Sequence, residues 1–328
     1  MNHCEKLNVA LADSVIPVQK GAKRLPRFTI DLNPICWNER VHLEPERLND
    51  IRQIEHFINE NYVEQGFTPI QHGRVIALRA TDKGRKSSAF ASALYLGKYD
   101  DMDNTDRFLN GMVKAGHSYE PIRGETVTFL YIGVSKTVYD HLITYTIRNR
   151  RIAGGFRVNK PWGFVIPNEA KDPWLYHRMM EDQLAQCEQL QKEHPEESLQ
   201  AIRSLYPIGV MMPPFMLDFS EEALVKNVFK QRIWERGAQG ETRDVVNSMF
   251  EAVRTLDTEK WDTLREYHGP HIEGHNQAMR KLREQRSTLR QLVAKNNNAQ
   301  ADVMDLDVYE LLMDTVGKLP KTMWDKAS

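Results

Sequence analysis

Residues Phe108–Val158 read FLNGMVKAGHSYEPIRGETVTFLYIGVSKTVYDHLITYTIRNRRIAGGFRV, and the rest of the chain is organised around them. Phe108, Met112 and Val113 form a short helical pattern that stops at Gly116, a residue that ends helices well, with His117 directly after it. Thr126–Val134 is rich in Thr, Val, Phe, Tyr and Ile and predicts a strand. After Ser135, the spacing of Val138, Leu142, Ile143 and Tyr145 predicts a helix that runs into the polar residues Arg148, Asn149, Arg150 and Arg151. Gly154, Gly155 and Arg157 follow.

Two readings of that end stand side by side. In one it binds anions. Arg148 and Arg150, two apart on a helix, point to different sides, one for each of two ligands. The glycines let backbone approach a phosphate, and Arg157 adds a bidentate contact. In the other it is a solvated basic helix end whose arginines complement the helix dipole.

The order of elements resembles the core of the flavin-dependent thymidylate synthases over roughly residues 70 to 255. Gly73–Leu94 (GRVIALRATDKGRKSSAFASAL) resembles the opening strand, turn and small-residue helix of that family. Lys114–His117 (KAGH) resembles its Gly-His turn, and Arg148-Asn149-Arg150 stands where the family has Arg-His-Arg. Arg203–Pro207 (RSLYP) is similar to its Ala-Arg-x-x-Leu-Pro segment, and Phe229–Arg243 (FKQRIWERGAQGETR) to its helix with Arg and Ala-Gln-x-Glu. The chain departs from the pattern at three places. Asn149 replaces the middle His, Ile152–Arg157 lacks the family's Glu, and Gly155 stands where the family has Ser. The family's late Arg corresponds to Arg232, offset by one, or to Arg236.

The resemblance implies an α+β fold, a mostly antiparallel central sheet flanked by helices, with helical extensions at both ends. The expected division is an N-terminal extension, 1–69, a core, 70–255, and a C-terminal helical extension, 256–328. It also implies one-carbon transfer to C5 of a pyrimidine nucleotide (dUMP, UMP or dCMP), giving a methylase or hydroxymethylase of the kind found in nucleotide-modifying pathways of viruses or antibiotic producers. FAD is the implied cofactor, with NADPH and methylene-tetrahydrofolate as co-substrates, in a homotetramer with shared active sites. By resemblance, His117, Arg148, Asn149, Arg150 and Asn227 hold FAD. Tyr145, Gly155, Phe156, Arg157 and Arg203 surround the nucleotide, and Arg232 acts as the catalytic charge-stabilising group. The alternative is a non-catalytic nucleotide-binding or assembly protein on the same fold.

Composition fits this picture. The 328 residues carry 44 Lys plus Arg against 45 Asp plus Glu, a balance that argues against a dedicated nucleic-acid binder. No long apolar run or leader is visible, so neither a membrane span nor export is expected. Cys4, Cys36 and Cys187 are widely spaced, which suggests a reducing, cytoplasmic setting and no zinc motif. None lies in the arginine-rich stretches, so a cysteine nucleophile is poorly supported. His271 and His275 are spaced i, i+4, but neighbouring Gly and Pro disturb a helix there and no metal site is expected.

Elsewhere, Phe28–Val41 suggests a short strand interrupted by Pro34, and Glu44–Tyr62 and Trp174–His194 read as amphipathic helices. On the latter, Met179, Met180, Leu184, Cys187 and Leu190 are expected in the core.

Overall fold

The computed structural model describes residues 27–36, 39–113, 119–145, 149–156, 159–234, 240–267 and 269. In chain order these give α1 (Asn33–Cys36), β1 (Val41–Leu43), α2 (Arg47–Ile58), β2 (Ile70–His72), β3 (Val75–Ala80), α3 (Lys86–Leu96) and α4 (Glu120–Arg123). Then come β4 (Thr126–Tyr131), α5 (Lys136–Ile143), β5 (Asn149–Ala153), β6 (Gly163–Val165), α6 (Pro173–Glu193) and α7 (Leu199–Ile202). β7 (Phe215–Ser220), α8 (Glu221–Ala223) and α9 (Gly240–Leu256) close the series. Three stretches wind wider, as π-helix: Asn59–Val63, Phe108–Val113 and Leu224–Trp234. No helix among the described residues is long and apolar enough to cross a membrane.

Five strands pair in the order β2-β3-β4-β7-β5, every pair antiparallel, and β1 pairs with β6 separately. The result is a mixed architecture of antiparallel sheets flanked by helices. β3 and β4 read as near-continuous apolar runs because both faces of the sheet are covered. On one face, Phe129, Tyr131, Phe215 and Phe219 meet α5, the Leu224–Trp234 helix, α9 and Trp261. On the other, Ile76, Leu78, Leu130 and Ile132 meet α1, α2 and β1. The segment before residue 70 therefore supplies one side of the core. Its helix starts and ends inside the span that periodicity marked, and the strand expected over 28–41 is instead α1 followed by β1.

The largest departure from the sequence reading is at Asn149–Arg151. Asn149–Ala153 is a strand at the edge of the sheet, not a helix end. Its residues alternate between faces. Arg150 meets Asp218 of β7 directly across the ladder, Asp218 meets Thr128 of β4, and Thr128 meets Arg79 of β3. The side chains bond along that row: Arg79 Nε donates to Thr128 Oγ1 at 3.2 Å, Thr128 Oγ1 to Asp218 Oδ1 at 2.7 Å, and Arg150 to Asp218 Oδ2 at 2.7 Å. Asp218→Ala is expected to cost about 1–3 kcal/mol, because the buried Thr128 hydroxyl loses its acceptor. The Arg150 pair adds little, since that side chain is 73 % exposed. Urea unfolding checks this, and an unchanged midpoint would show that the row does not hold the strands.

Candidate functional site

A pocket of about 530 Å³ opens where α5, the end of β5 and α7 converge. Lys136 and Tyr139 enter it from α5, Arg151, Gly155 and Phe156 from β5 and the turn after it, and Gln200, Arg203, Ser204 and Tyr206 from α7 and its exit. α5 begins there because Ser135 caps it, its Oγ accepting from Val138 N. Ser135 is itself fixed by Glu241, which accepts from its N–H and hydroxyl and from Arg74 at 2.7 Å. Glu241 belongs to the Ala-Gln-x-Glu segment. In this chain it sets the position of the helix that delivers Lys136 and Tyr139.

The electrostatics of the pocket are one-sided. Lys136, Arg151 and Arg203 line it, and no carboxylate among the described residues does. Asp140, one turn along α5, pairs with Lys136. Arg151 donates to Tyr139 Oη at 2.9 Å, which fixes its guanidinium at the wall. Phe156 and Tyr206 meet edge to face at 5.8 Å, giving an apolar, ring-lined side. Gly154 and Gly155 have φ of +136° and +124°, where side chains are strained. A Cβ on Gly154 would meet Phe215 Cβ at 2.6 Å, whereas the space beside Gly155 is open. Three cations, rings and an accessible backbone suit an anion attached to a planar base.

The residues expected from sequence do not all meet here. Gly155, Phe156 and Arg203 do. Tyr145 and Arg232 form a second group at the far end of α5. Arg232 Nε donates to Tyr145 Oη at 2.7 Å, and its guanidinium stands 5.6 Å over the ring. His141 lies beside them with Nδ1 2.8 Å from Thr242 Oγ1. Burial and then the Arg232 charge hold its pKa below the usual value, against the opposing pull of Asp140. Asn149 joins this side of the sheet, donating to Leu142 O at 3.1 Å. Its Oδ1 is buried and has no partner among the described residues. Arg150 lies on the opposite face with Asp218, and Asn227 is half-buried in the Leu224–Trp234 helix. His117, Arg148, Arg157 and Arg236 lie outside the described residues, as do His271 and His275.

Lys136, Tyr139 and Arg151 escaped the sequence reading. Lys136 lies outside the apolar pattern of α5 and carries no local signal. Arg151 was merged with a helix end, and the strand alternation that separates it from Arg150 appears only once β5 pairs with β7. No cluster of His, Cys, Asp or Glu suited to a metal occurs among the described residues.

No family model matches the chain, and no curated protein matches it. Among solved structures it is similar to a UMP/dUMP methylase, PolB from Streptomyces cacaoi, bound with 5-Br dUMP, at a TM-score of 0.46 and 14 % identity, over 59 % of this chain and 95 % of that one. A likeness of that size carries no functional weight by itself.

Proposed function

We propose that the chain transfers a one-carbon group to C5 of a pyrimidine nucleotide in a flavin-dependent reaction. The observation that carries this reading is the pocket in which Gly155, Phe156 and Arg203 meet two further cations, Lys136 and Arg151. Two separate stretches with the motif resemblance thus contribute to one anion-and-ring site.

In this reading Lys136, Arg151 and Arg203 hold the nucleotide phosphate, and Phe156 and Tyr206 shape the side that receives sugar or base. Arg232, oriented by Tyr145, stabilises negative charge as the pyrimidine is activated. Asn149 and Arg150 fit a flavin nucleotide by donor set. The buried, unpartnered Oδ1 of Asn149 seeks an N–H, and Arg150 is anchored at one nitrogen with its remaining donors exposed to solvent. They project from opposite faces of β5, so in one chain they would hold different parts of the cofactor or different copies of it. Asn227 would join the Asn149 side. The chemistry FAD supplies when bound is hydride transfer, with NADPH and methylene-tetrahydrofolate as reductant and carbon donor. Homotetramer assembly with shared sites belongs to the same proposal, as does a cytoplasmic location.

The substitutions at Asn149 and Gly155 favour one competing reading, a nucleotide-binding protein without flavin chemistry. The visible spectrum after incubation with FAD and gel filtration separates the two. Retained flavin absorption is expected, followed by a mass increase in dUMP, UMP or dCMP supplied with the folate donor. A chain that binds nucleotide but keeps no flavin would overturn the enzymatic reading.

A further inference from the structure

We propose that the groove between the β1–β6 pair and α6 is a second ligand site, for a planar organic cation such as an aromatic amidine or a protonated amino-heterocycle. It has a volume of about 720 Å³, within the usual range for small-molecule sites. The inference is independent of the nucleotide chemistry proposed above.

Two features set the ligand class. The first is a wall of rings. His42 stacks on Phe164 at 4.7 Å with 24° between planes, and His177 meets His42 edge-on at 4.2 Å. Trp174 stacks on His177 at 5.6 Å and 15° and continues the wall outward as a 66 % exposed side chain. An exposed tryptophan at the end of a ring stack offers a π-face, and π-faces attract cations. The second feature is charge. Glu39, Glu44, Glu181 and Glu188 line the groove, and no Lys or Arg among the described residues does. An anion is therefore repelled, and a cation gains both the ring faces and charge-assisted hydrogen bonds.

The groove exists because β6 can approach β1 closely. Gly163 sits opposite Leu43 with φ +133°, and a Cβ there would overlap His42 O. The apolar floor comes from Cys36, Val41, Leu43 and Leu184. Glu44 carries only part of a charge near neutral pH. Burial, together with a hydrogen bond to Glu46 and its charge, pushes it up to about 7, against the opposing Arg47. Arg47 also pairs with Asp50 at 3.2 Å and stands over the Trp162 ring. A neighbouring crevice of about 20 Å³, too narrow for a ligand, is lined by Lys160, by Glu44 and Glu188 of the groove and by Tyr206 of the basic pocket. The groove and the basic pocket thus have opposite charge and different walls.

The test uses the full chain with ¹³C-labelled histidine, titrated with benzamidine and, in parallel, with benzoate, which keeps the ring and reverses the charge. Benzamidine is expected to shift the His42 and His177 ring signals saturably, and benzoate to leave them in place. Glu181→Gln with Glu188→Gln should weaken benzamidine about tenfold or more, read from the midpoint of the His42 titration, because Glu181 pairs with His177 Nδ1 at 3.2 Å and its loss shifts the His177 signal by itself. Arg203→Ala should bind benzamidine as the parent does. Equal response to benzoate, or parental affinity in the double variant, would overturn the assignment. So would His42 and His177 signals that benzamidine leaves unmoved.

Discussion

Replacing Lys260 by methionine is expected to cost about 3–5 kcal/mol of stability, more than any other single substitution considered. Lys260 is 1 % exposed, and its ammonium lies between two buried carboxylates, Asp82 and Glu221, the latter at 2.6 Å. It also stands 5.6 Å over the Phe108 ring. These partners come from the turn after β3, the start of α8 and the helix over residues 258–267. Methionine fills the space but leaves two carboxylates facing each other out of water. Urea denaturation of Lys260→Met measures the loss. A companion with Asp82→Asn and Glu221→Gln should recover much of it, since neutral groups in the same place need no counter-charge. A fully stable Lys260→Met protein would mean that the three groups are hydrated.

The same cluster gives a pH signature. One lysine and two ionised carboxylates would leave a net negative charge in the core. Burial, chiefly, raises Glu221 to about 7 in spite of Lys260, and the cluster is neutral when Glu221 keeps its proton. Between about 4.5 and 7 the folded chain holds a proton at Glu221 that the unfolded chain has lost. Stability from this group therefore falls as pH rises through that window. Glu221→Gln removes the fall, so the parent-minus-variant difference in unfolding free energy should decline from pH 4.5 to 7. A flat difference would contradict the assignment. Lys260 acts at the other end of the scale. Its carboxylate partners raise its pKa against burial, so its contribution is full below 10.5 and is lost as pH rises through the folded-state value.

The second large effect is on ligand binding. Arg151→Ala and Arg203→Ala are each expected to weaken dUMP binding by about 1.5–3 kcal/mol, through loss of charge-assisted hydrogen bonds to phosphate. Each loss is about 10- to 150-fold in Kd. The double variant should lose more than either, but less than the sum, because both arginines line one pocket. Deoxyuridine, which lacks the phosphate, is the control. Its binding should change little. Equal losses for dUMP and deoxyuridine would mean that the arginines shape the pocket rather than hold phosphate. Arg150→Ala should leave dUMP affinity near the parental value, because Arg150 lies on the other face of the sheet, against Asp218.

Local chemistry made several elements legible. Ser135 before the Val138–Leu142 pattern marked α5, and Asp172-Pro173 marks the start of α6, where Asp172 accepts from Leu175 N. β4 was visible as a β-branched and aromatic run, and β3 as the opening strand of the resemblance. These signals are local because caps and periodicity act within a turn or two. Gly155, Phe156 and Arg203 were also within reach of sequence, through their place in a recognisable order of motifs.

Other features depended on pairing over long distances. Asn149–Ala153 (NRRIA) carries no apolar period, and it is a strand because β7 lies beside it with Asp218 waiting for Arg150. α6 was read as a core helix, yet Met179 is 63 % exposed and Cys187 alone is fully buried along it. Periodicity finds a stripe but does not say how much of it another element covers. Asp82, Glu221 and Lys260 gave no hint of one another, and Lys136, Arg151 and Arg203 joined one pocket from three segments. Sequence determined capped and strongly patterned segments such as α5 and β4, because those choices are made between near neighbours. The tertiary structure decided which charges meet, because a buried charge is tolerable only beside a partner that the chain brings from far away.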